Sequence, residues 1–149
     1  MKDDAEKLGK PDLEVSGVQI WIHGRQFPDA EDYWDGNWLN VTAHCGASSA
    51  SVWTTGPLIH SPEISHLMKG VESVYKELKA KAQLPCMEPE LSLTLEAKST
   101  GQIEMVVNIT PDHLHQTHKF IFEIDQTYLP KLISDCGAIL RKYPIKGEP

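Results

Sequence analysis

The sequence predicts an α+β domain in which a mainly antiparallel sheet carries two helices on one face, in the order βββα-βββα. Three observations carry that prediction. Apolar and polar residues alternate over several short runs, the period of a half-buried strand. Two longer runs space their apolar residues by three and four, the period of an amphipathic helix. Turn residues separate the short runs, and hairpin-joined strands lie antiparallel.

Val18, Ile20 and Ile22 alternate with Gln19, Trp21 and His23 as the first strand, and Gly24 is expected to end it. Arg25 to Asn37 has no period and holds Pro28 and Gly36, so it reads as a long loop. Leu39, Val41, Ala43 and Cys45 form the second strand; Gly46-Ala47-Ser48-Ser49 is the turn, and Ser51 to Thr55 returns as the third. Ser61-Pro62-Glu63 opens a helix, with a hydroxyl at the cap, a proline in the first turn and a carboxylate at the positive end of the dipole. Ile64, Leu67, Met68, Val71, Val74, Tyr75 and Leu78 draw its apolar stripe. Leu91, Leu93 and Leu95 make a fourth strand, and Ile103, Met105, Val107 and Ile109 a fifth beyond the turn Lys98-Ser99-Thr100-Gly101. Leu114 and His118 share parity with Phe120, Phe122 and Ile124 in a sixth. A second helix, capped by Asp125 or Thr127, places Leu129, Leu132, Ile133, Cys136, Ile139 and Leu140 on one side before Pro144 stops it.

A chain of 149 residues suffices for one core. Residues 1–12 are charged and aperiodic and read as a flexible tail, leaving residues 13–149 as a single domain. The beginning of the chain lacks the apolar stretch of a secretory signal, and no window approaches 18 apolar residues, so a cytoplasmic, non-membrane protein is expected. Cys45, Cys86 and Cys136 share no metal-type spacing and read as free thiols. The net charge of −7 argues against nucleic acid as a partner, because phosphate binding needs a Lys/Arg surface, and suits a basic protein partner better.

The densest polar feature is the loop from Phe27 to Trp38. Asp29, Glu31, Asp32, Tyr33, Trp34 and Asp35 combine four carboxylates with two large aromatic rings and no base. Rings supply buried area and acids supply steering, so this is the expected partner-binding segment. Counting from Asp29, a calcium loop would need glycine sixth and glutamate twelfth; Trp34 and Asn40 stand there instead. His113 and His115 are candidate metal ligands, two apart on one strand face, while His118 faces the other way. No G-x-S-x-G, H-E-x-x-H, phosphate loop or dinucleotide fingerprint occurs, and no catalytic residue or cofactor is assigned.

At Asp35-Gly36-Asn37-Trp38-Leu39-Asn40-Val41, then Glu88-Pro89-Glu90-Leu91 and Gly101-Gln102-Ile103-Glu104-Met105, the chain resembles the WapI-type immunity proteins over roughly Val15 to Leu140. These are small bacterial proteins encoded beside contact-delivered toxins. The resemblance implies a non-enzymatic protein that binds and blocks one toxin domain, and carries over no catalytic residue. Two alternatives stand beside it. One is a small metal-binding or hydrolytic enzyme using the His113/His115 region; the other is a homo-oligomeric accessory protein joined at sheet edges.

Overall fold

The computed structural model describes residues 7–149. Its eight strands form two antiparallel meanders, and the α+β class read from the sequence is the class observed. The first sheet takes β1 (Leu13–Val15), β2 (Val18–Arg25), β3 (Trp38–Ala47) and β4 (Ala50–His60) in that spatial order. The second takes β5 (Lys81–Leu84), β6 (Leu91–Ala97), β7 (Ile103–Ile109) and β8 (Lys119–Ile124). A one-turn helix, α1 (Tyr33–Gly36), interrupts the long loop; α2 (Ser61–Glu77) follows the first sheet and α3 (Leu129–Lys142) the second.

Each sheet forms because its apolar residues fall on alternate positions and meet across the ladder. Ile20 faces Ala43 and Val18 faces Cys45, and Leu95 faces Met105 in the second sheet, all of them buried. The helices lock the two sheets together by crossing over. The helix that follows the first sheet, α2, lies on β5 of the second, while α3 lies against β1 of the first, and the two helices pack on each other. The α2–β5 approach is close enough that a Cβ on Gly70 would stand 2.9 Å from the Ala82 backbone. On the other side β3 touches β7 and β8. One continuous hydrophobic cluster results, drawing on both sheets and both helices.

Several expectations are corrected. The strands belong to two sheets rather than one, and each sheet gains a short first strand, so the order is four strands then a long helix, twice. Gly24 does not end β2; the register shifts between Ile22 and Gly24, a bulge that lets the strand continue to Arg25. The α2 cap is His60, not Ser61, and the Glu63 carboxylate reaches back to accept the His60 N–H at 2.7 Å, in the manner of a capping box. Strand β8 begins at Lys119, so Leu114 and His118 lie in the preceding loop; His115 N–H and Gln116 N–H both close onto the Asp112 carbonyl there.

Of the expected tail, residues 1–6 lie outside the described residues. The Gly9 carbonyl accepts from the Trp21 indole at 2.9 Å, and the Asp12 carboxylate accepts from the Ile22 N–H at 2.6 Å, tying this stretch to β2.

Candidate functional site

One end of the molecule gathers the end of β2, the loop to β3, the junction of β4 with α2, the β5–β6 loop and the stretch after α3. The acidic-aromatic loop sits there, and its shape follows from its own residues plus three anchors. Asp32 takes the N-cap of α1, its carboxylate accepting the Asp35 N–H at 3.0 Å. Arg25 donates through one guanidinium nitrogen to the Gly36 carbonyl and through the other to the Pro144 carbonyl, both at 2.6 Å. Lys146 extends its ammonium to the carbonyls of Pro28 (3.0 Å) and Ala30 (2.9 Å), with the Glu31 carboxylate 3.6 Å away.

Asn37 is the hub of these contacts and is 0% exposed. Its amide nitrogen donates to the Tyr33 carbonyl (2.8 Å) and the Lys146 carbonyl (2.9 Å), while its oxygen accepts the Lys146 N–H at 2.8 Å. A side chain thus plays the part of a strand partner for the C-terminal segment. Sequence reasoning gave no role to Arg25 and Lys146 and met Asn37 only within the Asp35 to Val41 run that carries the family resemblance. Their long-range partners leave no local signal, except that a lone Asn before a strand inside an acidic loop marks a candidate turn-holder.

The aromatic rings form a second layer. His60, buried at the end of β4, has Tyr33, Trp34 and Trp38 around it with ring centroids 5.2, 6.0 and 4.9 Å away. Its Nε2 donates to the Tyr33 and Trp34 carbonyls at 3.0 and 3.1 Å, which holds α1 against the strand end. The result is a fixed loop whose Trp34 still shows 54% of its surface to solvent. Asp29, Glu31, Asp32 and Asp35 are exposed on the same loop, with Tyr33 half-buried, so five of the six expected residues reach solvent.

Beside Trp34 lies a cleft of about 290 Å³ lined by Tyr33, Trp34, His60, Pro62, Glu63, His66, Pro85 and Met87. Met87 is 53% exposed at its edge. Glu63 is only 6% exposed, and its second oxygen accepts the Met87 N–H at 2.8 Å, joining α2 to the β5–β6 loop. Burial pushes the Glu63 carboxyl above its usual range, opposed by the two N–H donors and reinforced by the charge of Glu88. A larger groove of about 590 Å³, lined by Tyr75, Gln126, Thr127 and Pro130, carries no acid–base pair or ligand set.

The remaining candidates lie elsewhere. His113 Nδ1 stands 3.4 Å from Glu90, and His115 Nδ1 is 3.0 Å from Asp112, both on the loop before β8. Among the described residues no group of three His, Cys, Asp or Glu could hold a metal ion. His44 and Cys45, neighbours on β3, point to opposite faces and form no nucleophile–base pair: Cys45 is fully buried, while His44 joins Gln19 and Ser51 at 2.7 Å each on the outer face. Burial pushes the Cys45 thiol up to about 11, Cys136 up to about 12 and Cys86 higher still. Because the thiolate is the reactive form, native protein at pH 8 is expected to protect the buried Cys45 and Cys136 from a thiol-specific disulfide reagent until denaturation, while the half-buried Cys86 reacts slowly through its raised pKa. Rapid modification of Cys45 or Cys136 in the native state would contradict their burial.

Among the described residues, no helix is long and apolar enough to cross a membrane. No curated protein and no solved structure matches the chain. One family profile, described as the immunity protein WapI-like family, matches residues 11–144, a span that holds all eight strands and both long helices. By that match, over nearly its whole length, the chain belongs to the WapI-like immunity protein family.

Proposed function

We propose that this protein binds and neutralises a toxin domain with a basic surface, and that it docks through the Asp29 to Trp38 loop with Trp34 at the centre of the contact. Family membership supports toxin-neutralising binding in general, carried out without catalysis. The observation that carries the finer reading is the combination of a pinned backbone with an exposed indole. Arg25, Asn37, Lys146 and His60 hold the loop from four sides, yet Trp34 remains 54% exposed. The indole rests on His60 and Tyr33 but adds nothing to the apolar core. It offers contact area at little ordering cost, which is how a hot spot is built. The exposed carboxylates of Asp29, Glu31, Asp32 and Asp35 around it favour a basic partner and speed encounter with it. The same protein is read as acting in the cytoplasm, with residues 13–149 as one domain, and no nucleic acid is expected on its surface.

The test uses the toxin domain recovered from native lysate with the tagged protein. Trp34→Ala is expected to weaken its binding by about 30-fold or more, the loss of a hot-spot ring. Changing Asp29, Glu31 and Asp35 together to their amides should instead slow association, with the effect shrinking as salt is added. Asp32 is left intact because it caps α1. The amide variant should melt within about 2 °C of the parent, since its carboxylates are exposed, and Trp34→Ala within about 4 °C, since it gives up the ring contacts with His60 and Tyr33. Unchanged toxin affinity for Trp34→Ala would move the docking surface away from this loop.

A further inference from the structure

We propose that the cleft beside Trp34 is a receptor for one arginine side chain of the partner, with the indole of Trp34 as its stacking wall and the Glu63 carboxylate as its floor. The proposal deepens the docking role just proposed and rests on it for the source of the arginine. Four observations converge on a guanidinium.

The first is size. At about 290 Å³ the cleft is shallow and open to solvent, too small to enclose a drug-sized molecule, and suits a single side chain laid into it. The second is the floor. Glu63 is the buried carboxylate of the cleft, and no Lys, Arg or His among the described residues forms an ion pair with it. Its neighbours add negative charge: Glu88 acts on it directly, and the acidic loop stands alongside. Burial without a counter-ion leaves a carboxylate that gains most from an incoming cation.

The third is stereochemistry. Each Glu63 oxygen already accepts one backbone N–H, from His60 at 2.7 Å and from Met87 at 2.8 Å. A carboxylate has about four acceptor positions, so each oxygen keeps one for a further donor. A guanidinium spreads its donors over a planar fork and can reach either oxygen, whereas a lysine ammonium presents one compact centre. The backbone donors also fix the carboxylate in place before anything binds. The fourth is the wall. Trp34 and Met87 are large, exposed and set at the cleft; the indole stacks on His60 with centroids 6.0 Å apart and meets Tyr33 edge-on at 4.9 Å, and 54% of its surface stays open to a ligand. A planar cation over indole is favoured by stacking and by the ring quadrupole. Arg25 and Lys146, the cations that pin the loop, are turned to backbone carbonyls and, for Lys146, to Glu31.

The test needs no toxin. N-acetyl-arginine-methylamide is titrated into the full chain, and the Trp34 indole N–H and Met87 amide signals are followed by NMR. Saturable shifts of both are expected with a dissociation constant on the order of a few millimolar, the strength of one side-chain contact. The uncharged citrulline analogue should bind about ten-fold more weakly or not at all, and the lysine analogue should fall between. Glu63→Gln removes the charge but puts an amide donor against a backbone N–H. Trp34→Ala is therefore the second variant, expected to keep the fold and weaken the arginine probe several-fold as read at Met87. No saturable shift, or equal binding of arginine and citrulline analogues, would overturn the proposal. The two readings fail separately. If the probe binds while Trp34→Ala leaves toxin affinity unchanged, the arginine receptor stands and the toxin-docking role of the loop falls. If toxin affinity drops without probe binding, the loop stands and the receptor falls.

Discussion

Replacing Gly17 by alanine is expected to lower the unfolding free energy by about 3 kcal/mol or more, and the melting temperature by roughly 6–12 °C for a chain of this size. Gly17 sits in the tight turn between β1 and β2, where Ser16 already holds a left-handed φ of 51°. Its carbonyl accepts the Gly46 N–H at 3.0 Å, so the turn is fastened to the far end of β3. A Cβ at Gly17 would run into the Gly46 carbonyl oxygen and would stand 2.8 Å from the Phe122 ring of the second sheet. The ring could swing aside, but the carbonyl belongs to the ladder that pairs Val18 with Cys45, and moving it parts β2 from β3. One methyl group therefore strains both the first sheet and its contact with the second. The turn lies at the opposite end of β2 from the acidic loop, about 25 Å away at the rise of an eight-residue strand. Partner binding well below the melting point should accordingly be unchanged. A variant melting within about 2 °C of the parent would show that the turn relaxes freely.

The sequence was most legible where burial is local and periodic. Val18 to Ile22, Leu39 to Cys45 and Leu91 to Leu95 announce themselves because alternate residues join the core cluster, while their neighbours stay outside it even where, as at Trp21 and Thr42, other contacts cover them. β1 has three residues and β5 four, too few for a period to register, and each is secured by distant partners. The Glu14 N–H on β1 is taken by Asp135 of α3, and β5 is pressed under Gly70 of α2. The division into two sheets was not legible for a related reason. Alternation states which face of a strand is buried but not which strand lies beside it, and α2 parts the two meanders in sequence while packing against the second. At the candidate site the acidic and aromatic side chains were visible by density alone. Their support was not, since Asn37 and Lys146 are separated by 109 positions and Glu63 and Met87 by 24. The reading of Glu63 as a helix-start acid was right about the dipole but silent on its second partner, which turns a capping residue into the floor of a cleft.

Asn37→Ala is expected to cost about 2–4 kcal/mol, because it removes three good hydrogen bonds at a fully buried position and leaves their backbone partners to find water or go unpaired. Thermal unfolding should register a loss of roughly 5–15 °C. The loss has a local signature as well. The Lys146 N–H, now bonded to the Asn37 oxygen, should exchange with solvent much faster in the variant, while amides in the second sheet slow or quicken only with global stability. Asn37→Asp separates hydrogen bonding from volume. Aspartate keeps the acceptor for the Lys146 N–H and for Arg25, but sets a carboxylate oxygen against the Tyr33 and Lys146 carbonyls, where the amide now donates. It should be no more stable than the alanine variant, and an aspartate variant as stable as the parent would show that the donated bonds contribute little. The consequence reaches the partner through the loop. Asn37 is wholly buried and can touch no ligand, so any fall in partner affinity in this variant at a temperature where it is folded measures how much of the binding depends on holding Trp34 in place. A loop that docks by rigid presentation loses affinity when its hub is removed; a loop that orders on contact does not.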